Sequence, residues 1–244
     1  MRTLVLGIPL PHPTFDNYSF LSAPSFSDYP RLVVDMASIS RVVQEAAAAA
    51  GQHRTYDGQP VLPGPTSAQG FGLRELLEMR RREARLFLDG GGVIALLAHP
   101  DVPHPDLVAW PGWRRYGWLP APEGLRYEEH LLPAFGNQGV ILAEAAHPFA
   151  PWVEEFGPQL SYRVHVDESA PGFDSYGRVF ARSPGGAAAG VALAVAAGAV
   201  VLLPLLVRFE QERQAMAETL FRCFQRWQEL AAAPAPDWMR KEVT

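Results

Sequence analysis

Residues 73–106 constrain the fold more than any other stretch, because three signals follow one another without a gap. Leu73 to Asp89 carries apolar residues at helical spacing: Leu73, Leu76, Leu77, Ala84, Phe87 and Leu88. Gly90-Gly91-Gly92 then stops the helix, and Val93-Ile-Ala-Leu-Leu-Ala98 is an unbroken apolar run of strand length. Helix, glycine stop and buried strand make the αβ half of an α/β unit, and a strand apolar on both faces belongs inside a parallel sheet. The loop that follows, His99-Pro-Asp101-Val-Pro-His104-Pro-Asp106, leaves the carboxyl end of that strand, which is where such sheets bind ligands.

The remaining segments fit the same plan. Arg2 to Ile8 reads as a first buried strand, Thr14 to Pro30 as ordered loop, and Arg31-Leu-Val-Val-Asp35 as a second strand ending in an aspartate. Ser38 or Ser40 is positioned to cap a helix that ends at Gly51. Arg80-Arg81-Arg82 and Arg85 alternate with Glu75, Glu78 and Glu83, the pattern of a solvated helix face with local pairing. Ala187 to Val207 carries no charge and is long enough to cross a bilayer, but Gly190, Gly198 and Pro204 divide it. It reads as two buried strands, following an alternating strand at Gly177–Arg182. Arg208 to Ala233 has a helical apolar stripe, and residues 234–244 read as a loose tail. Residues 1–233 are thus expected to form one domain, with 52–70 and 99–130 as long loops or insertions.

Several function classes are excluded by composition. A net charge of −5 gives no basic footprint for duplex nucleic acid. One cysteine, Cys223, rules out an internal disulfide and a multi-cysteine zinc or iron–sulfur site. The apolar run at the start is too short for a signal peptide, so a cytoplasmic protein without a membrane span is the expectation. No Gly-x-Ser-x-Gly elbow occurs, and Cys223 falls inside a helix rather than on a nucleophile turn. Gly90-Gly91-Gly92 follows a helix and precedes a strand, the reverse of the order a phosphate loop requires.

What remains is a set of imidazoles and carboxylates at strand ends: His12 and Asp16 after the first strand, Asp35 after the second, and His99, Asp101, His104 and Asp106 after the third. If the strands are parallel neighbours, these residues share one edge of the sheet. His99, His104 and Asp101 are then candidates for acid–base chemistry, and His12, His99 and His104 for a divalent metal. No cofactor is required by any motif. A second cluster, Trp110, Trp113, Arg114, Arg115 and Trp118, is either a stacking surface for a ligand or partner, or the packing of a long loop onto the sheet.

Phe87-Leu-Asp-Gly-Gly-Gly-Val93, opening onto an apolar strand, resembles the helix–glycine–central-strand step of the class I glutamine amidotransferase-like superfamily. Gly177-Arg-Val-Phe-Ala-Arg182 and Gly198-Ala-Val-Val-Leu-Leu-Pro204 resemble the closing strands of its non-catalytic members, the trehalose-utilisation-type and β-galactosidase trimerisation-type domains. These patches cover roughly a third of the chain. The resemblance implies a three-layer, flavodoxin-like α/β fold with a mainly parallel sheet, a C-terminal β-meander and a final helix. The nucleophilic cysteine and its histidine partner have no counterpart here, so the resemblance implies binding rather than amidotransfer.

Three functions follow as expectations. The first is a non-catalytic module, a component of a larger assembly, that binds a protein partner, a second copy of itself or a small ligand through His12, Asp16, Asp35 and the Trp110–Trp118 loop. The alternatives are a metal-assisted hydrolase at the strand-end histidines and aspartates, and a nucleotide or sugar sensor.

Overall fold

The computed structural model describes residues 2–39, 41, 68–101, 114–134, 138–206 and 209–232. In chain order the strands are β1 (Thr3–Leu6), β2 (Phe15–Tyr18), β3 (Arg31–Asp35), β4 (Val93–Leu97), β5 (Leu131–Pro133), β6 (Ile141–Leu142), β7 (Leu160–Ser161), β8 (Val164–Val166), β9 (Gly177–Arg182), β10 (Ala188–Val195), β11 (Gly198–Leu203) and β12 (Leu205–Leu206). The longer helices are α1 (Ala68–Asp89), α2 (Ala150–Phe156) and α3 (Phe209–Ala232).

Runs that are apolar on both faces form the middle of the sheet. β1, β3, β4 and β11 are buried at every position, as parallel strands covered on two sides must be. Among the described residues they belong to a ten-stranded sheet that runs β2-β1-β3-β4-β11-β10, with the first five strands mutually parallel. Beyond them β9, β10 and β11 form an antiparallel meander. The uncharged stretch from residue 187 therefore supplies β10 and β11, and no helix of the described residues is long and apolar enough to cross a membrane.

Alternation along each strand sorts its side chains into two cores. Leu4, Leu6, Leu32, Val34, Ile94 and Leu96 face α1, whose Ala84, Phe87 and Leu88 pack on them with Phe20, Phe26 and Trp118. Val5, Val33, Ala95, Leu97, Val201 and Leu203 face α2 and α3, packing on Trp152, Met216, Leu220, Phe224 and Trp227. Both faces of the sheet are thus sealed by helix. Cys223 is fully buried in the second core, and burial pushes its thiol up to about 12.

The glycine stop behaves as its sequence requires. Gly90 N–H bonds Leu86 O (3.0 Å), Gly91 N–H bonds Leu88 O and Gly92 N–H bonds Phe87 O (2.9 Å). Gly91 takes the left-handed φ of +83° that closes an α-helix C-terminus, and α1 passes directly into β4.

Three expectations are corrected. Residues 14–30, read as loop, contain the edge strand β2, which runs parallel to β1 after a connection of only eight residues. Its Phe-Asp-Asn-Tyr sequence buries only Phe15, so no apolar alternation announces it. The helix after β3 begins at Met36, capped by Asp35 rather than by a serine: the Asp35 carboxylate accepts the Ala37 N–H at 3.0 Å. Of the remaining residues assigned to that helix, Arg41 is described and helical, whereas Ser40 and residues 42–51 lie outside the described set. Arg80 is no part of a solvated face. It is 2 % exposed, donates to the carbonyls of Ala23 and Pro24 and to Glu83, and lies against the rings of Phe20 and Phe26.

Candidate functional site

Parallel register brings the strand ends level. Val34 pairs with both Leu6 and Leu96, and Asp35 pairs with Leu97, which pairs in turn with Leu203. Ala98 N–H extends the last pairing by one bond to Leu203 O, so His99 leaves the sheet one residue beyond its edge. Asp35 and His99 therefore meet, with Oδ1 and Nε2 3.7 Å apart. That is too far for a direct hydrogen bond.

Each is held from behind. The Asp35 side chain caps its own helical turn, while Ser38 Oγ donates to the Asp35 carbonyl at 2.6 Å. Residues 114–116 clamp residues 99–101: Tyr116 OH donates to His99 O (2.8 Å) and accepts His99 N–H (3.3 Å). Arg115 donates to Pro100 O and Arg114 to Asp101 O. The backbone that presents the imidazole is pinned at consecutive points.

Electrostatics follow from burial among cations. Burial first, and then the charges of Arg115 and Arg163, lower the His99 pKa to about 4, so its imidazole is neutral at pH 7. Burial raises the Asp35 pKa, against the Ala37 N–H and the charges of Arg41 and Arg115. Arg115, 8 % exposed, lies between the charges of Asp35 and Asp101, and burial lowers its own pKa.

The antiparallel pair β7–β12 adds the far wall. Ser161 pairs with Leu205, and this brings Ser161 and Arg163 over the end of β11. The result is a cavity of about 220 Å³ outside the carboxyl ends of β1, β3 and β4. Asp35, Arg41, His99, Ser161 and Arg163 are its polar lining, and Ile8, Leu97, Leu205, Leu206 and Met216 its apolar lining. Among the described residues, no carboxylate lies within ion-pair distance of Arg41 or Arg163.

The other sequence candidates are dispersed. Because β2 is parallel to β1, the chain must return to the opposite edge before β2 starts. His12 rides on that return, its ring 4.8 Å from Phe15 and stacked 4.5 Å from Phe221, with Nδ1 hydrogen-bonded to Thr14. Phe15 is level with Thr3 whereas Asp35 is level with the residue after Leu6, a separation of four residues, or about 13 Å of strand. Metal ligands each lie about 2 Å from their ion, so His12 and the Asp35–His99 pair cannot share one. Asp16 is ion-paired with Arg2 near the same far edge.

Asp101 is buried behind the cavity wall, with neither oxygen in a hydrogen bond of regular geometry although the Arg115 and Tyr116 amides lie close. Trp118 is 2 % exposed and meets Phe20 and Phe26 edge to face, so it packs the core and offers no stacking surface. His104, Trp110 and Trp113 lie outside the described residues.

Among the described residues, no three His, Cys, Asp or Glu side chains gather as metal ligands. Asp35 and His99 could supply two, but the guanidinium groups of Arg41, Arg115 and Arg163 act on the same space. That charge set favours an anion over a divalent cation. Nothing in the sequence distinguishes Arg41, Ser161 and Arg163 as site residues. Arg163 sits in an alternating segment that reads as any half-exposed strand would, and only the β7–β12 pairing brings it to the cavity. No protein-family model matches the chain, and comparison with curated proteins finds no match.

Proposed function

We propose that the protein is a non-catalytic ligand-binding α/β module whose site is the strand-end cavity. The observation that carries this reading is the convergence of Asp35, His99, Arg41 and Arg163 on one 220 Å³ space. Its position supports the reading too. The strand order 2-1-3-4-11 parallels the flavodoxin-like order, in which ligands sit where successive connections turn to opposite faces, between the first and third strands. Here the β1–β2 connection puts Ile8 and Leu10 in one core, and the chain leaving β3 puts Met36 and Ile39 in the other. The cavity opens at that divergence. A flavodoxin-like, amidotransferase-like arrangement is the fold we propose on this basis, with the buried, un-ionised Cys223 arguing against cysteine chemistry.

Size favours a small molecule over a whole nucleotide, since sites for drug-sized ligands run to about 300–1,000 Å³. The test is a thermal-shift screen of small metabolites, repeated on Ser161→Trp, whose indole would fill the cavity. A ligand at a hundred times its Kd stabilises by about 2.7 kcal/mol. In a chain of this length that raises Tm by about 5–10 °C. Shifts of that order that vanish in Ser161→Trp support the reading. Shifts that persist in the variant sink it. Turnover of a bound compound that is lost in His99→Ala would replace binding by catalysis.

A further inference from the structure

Resting on that reading, the chemistry of the lining narrows the ligand class. Among the described residues, the charges of Arg41, Arg115 and Arg163 act on Asp35 and His99, and Asp101 acts on Arg115. Among the described residues, Arg41 and Arg163 meet no carboxylate at ion-pair distance, and with His99 neutral the cavity suits an anion. Arg41 and Arg163 are exposed at the cavity, so their planar donor forks can reach a carboxylate.

The less exposed part of the lining, Asp35 and His99, asks for something else. A carboxylate oxygen 3.7 Å from Nε2 favours the tautomer with the proton on Nε2, because a lone pair there would face negative charge. The pair then presents one acceptor and one donor with a gap between them. A hydroxyl fills such a gap, donating to Asp35 and accepting from His99 at ordinary distances of about 2.8 Å. An ammonium could donate but not accept, and it would face the arginines. Ile8, Leu97 and Met216 add an apolar wall suited to methylene groups.

We propose that the cavity binds a short hydroxylated monocarboxylate, its carboxylate on Arg41 and Arg163 and its hydroxyl between Asp35 and His99. The test is calorimetric titration of full-length protein with 3-hydroxybutyrate, 4-hydroxybutyrate, 5-hydroxyvalerate and 6-hydroxyhexanoate. Each is compared with its unsubstituted acid, its amide, its ω-amino or β-amino analogue, and glycerol 3-phosphate. At least one hydroxy acid should bind tenfold or more tightly than its parent acid and its amide. Arg163→Ala should weaken hydroxy acid and parent acid alike. His99→Phe, which removes the donor and leaves the Asp35 cap in place, should abolish only the preference for the hydroxyl.

An amino analogue, an amide or glycerol phosphate binding more tightly than every hydroxy acid overturns this class, while sensitivity of that binding to Ser161→Trp leaves the cavity reading standing. If no compound in this series binds, the class is overturned. Failure of the wider metabolite screen is then what separately overturns the cavity reading.

Discussion

Gly7 shows how much of the site depends on single side chains. Its φ is +82°, and a methyl group there would lie 1.8 Å from Ser38 Oγ and 2.1 Å from Ser38 Cβ. Ser38 is the residue that bonds the Asp35 carbonyl, so Gly7→Ala strains the backbone and wedges β1 away from the Asp35 turn. The expected cost is about 2–4 kcal/mol, left-handed strain plus overpacking, read as a lower urea midpoint.

The histidines set the response to acid. Burial, with arginine charge, lowers His99 to about 4 and His147 to about 3. His147 is 3 % exposed and stacked on Phe180. A depressed histidine pKa means the unfolded chain binds protons that the folded one refuses. Stability is therefore full above about 6.5 and falls as pH drops toward 4, by up to about 1.4 kcal/mol per pH unit for each histidine. The raised pKa values of Asp35 and Asp101 act in the opposite sense. Urea unfolding at pH 7.5, 6.5 and 5.5 should show the decline, and His147→Phe should make it shallower. An unchanged slope in that variant would contradict the assignment.

Asp35 and His99 were legible because each follows a run of strand residues that ends at a definite point. His12 was misplaced for the opposite reason: the short strand that forces the chain to double back leaves no pattern.

At the level of elements, α1 was readable from its apolar stripe and its glycine stop, but its charges were not. Three arginines in succession look alike, and the one that turns inward is chosen by what lies opposite. The carbonyls of Ala23 and Pro24 and the rings of Phe20 and Phe26 come from the segment after β2. Arg80→Ala leaves those carbonyls without their donor and opens a space beside the rings, at an expected cost of about 3–5 kcal/mol. Arg80→Lys should recover little, because an ammonium cannot reproduce the fork. Arg81→Ala, on the exposed side, should change stability by less than about 0.5 kcal/mol. Thermal unfolding of the three variants side by side checks the ranking.

For the molecule as a whole, sealing the sheet on both faces makes Cys223 a reporter of global opening. A thiol at 0 % exposure with a pKa near 12 should be inert to a disulfide reagent at pH 8 and react only through unfolding. The labelling rate should therefore rise with urea in step with loss of structure. Rapid labelling in buffer would mean that α3 lifts from the sheet on its own. The general architecture was visible in the sequence because fully buried strands have their own signature. The edge additions that complete the cavity, β7 and β12, are two residues each and become strands only by pairing with one another.

The order in which the sheet is assembled has a consequence for biosynthesis. β4 is flanked by β3, which precedes it, and by β11, which begins at residue 198. While the chain is being made, one edge of the most apolar strand stays open until about a hundred further residues have been added. At ~5–20 residues per second that interval lasts about 5–20 s. Throughout it, a row of unpaired backbone groups flanked by Val, Ile and Leu is a template for another nascent chain. Yield in a cell should accordingly depend on how quickly the ribosome delivers Gly198–Leu203, and chains halted before that point should aggregate rather than wait.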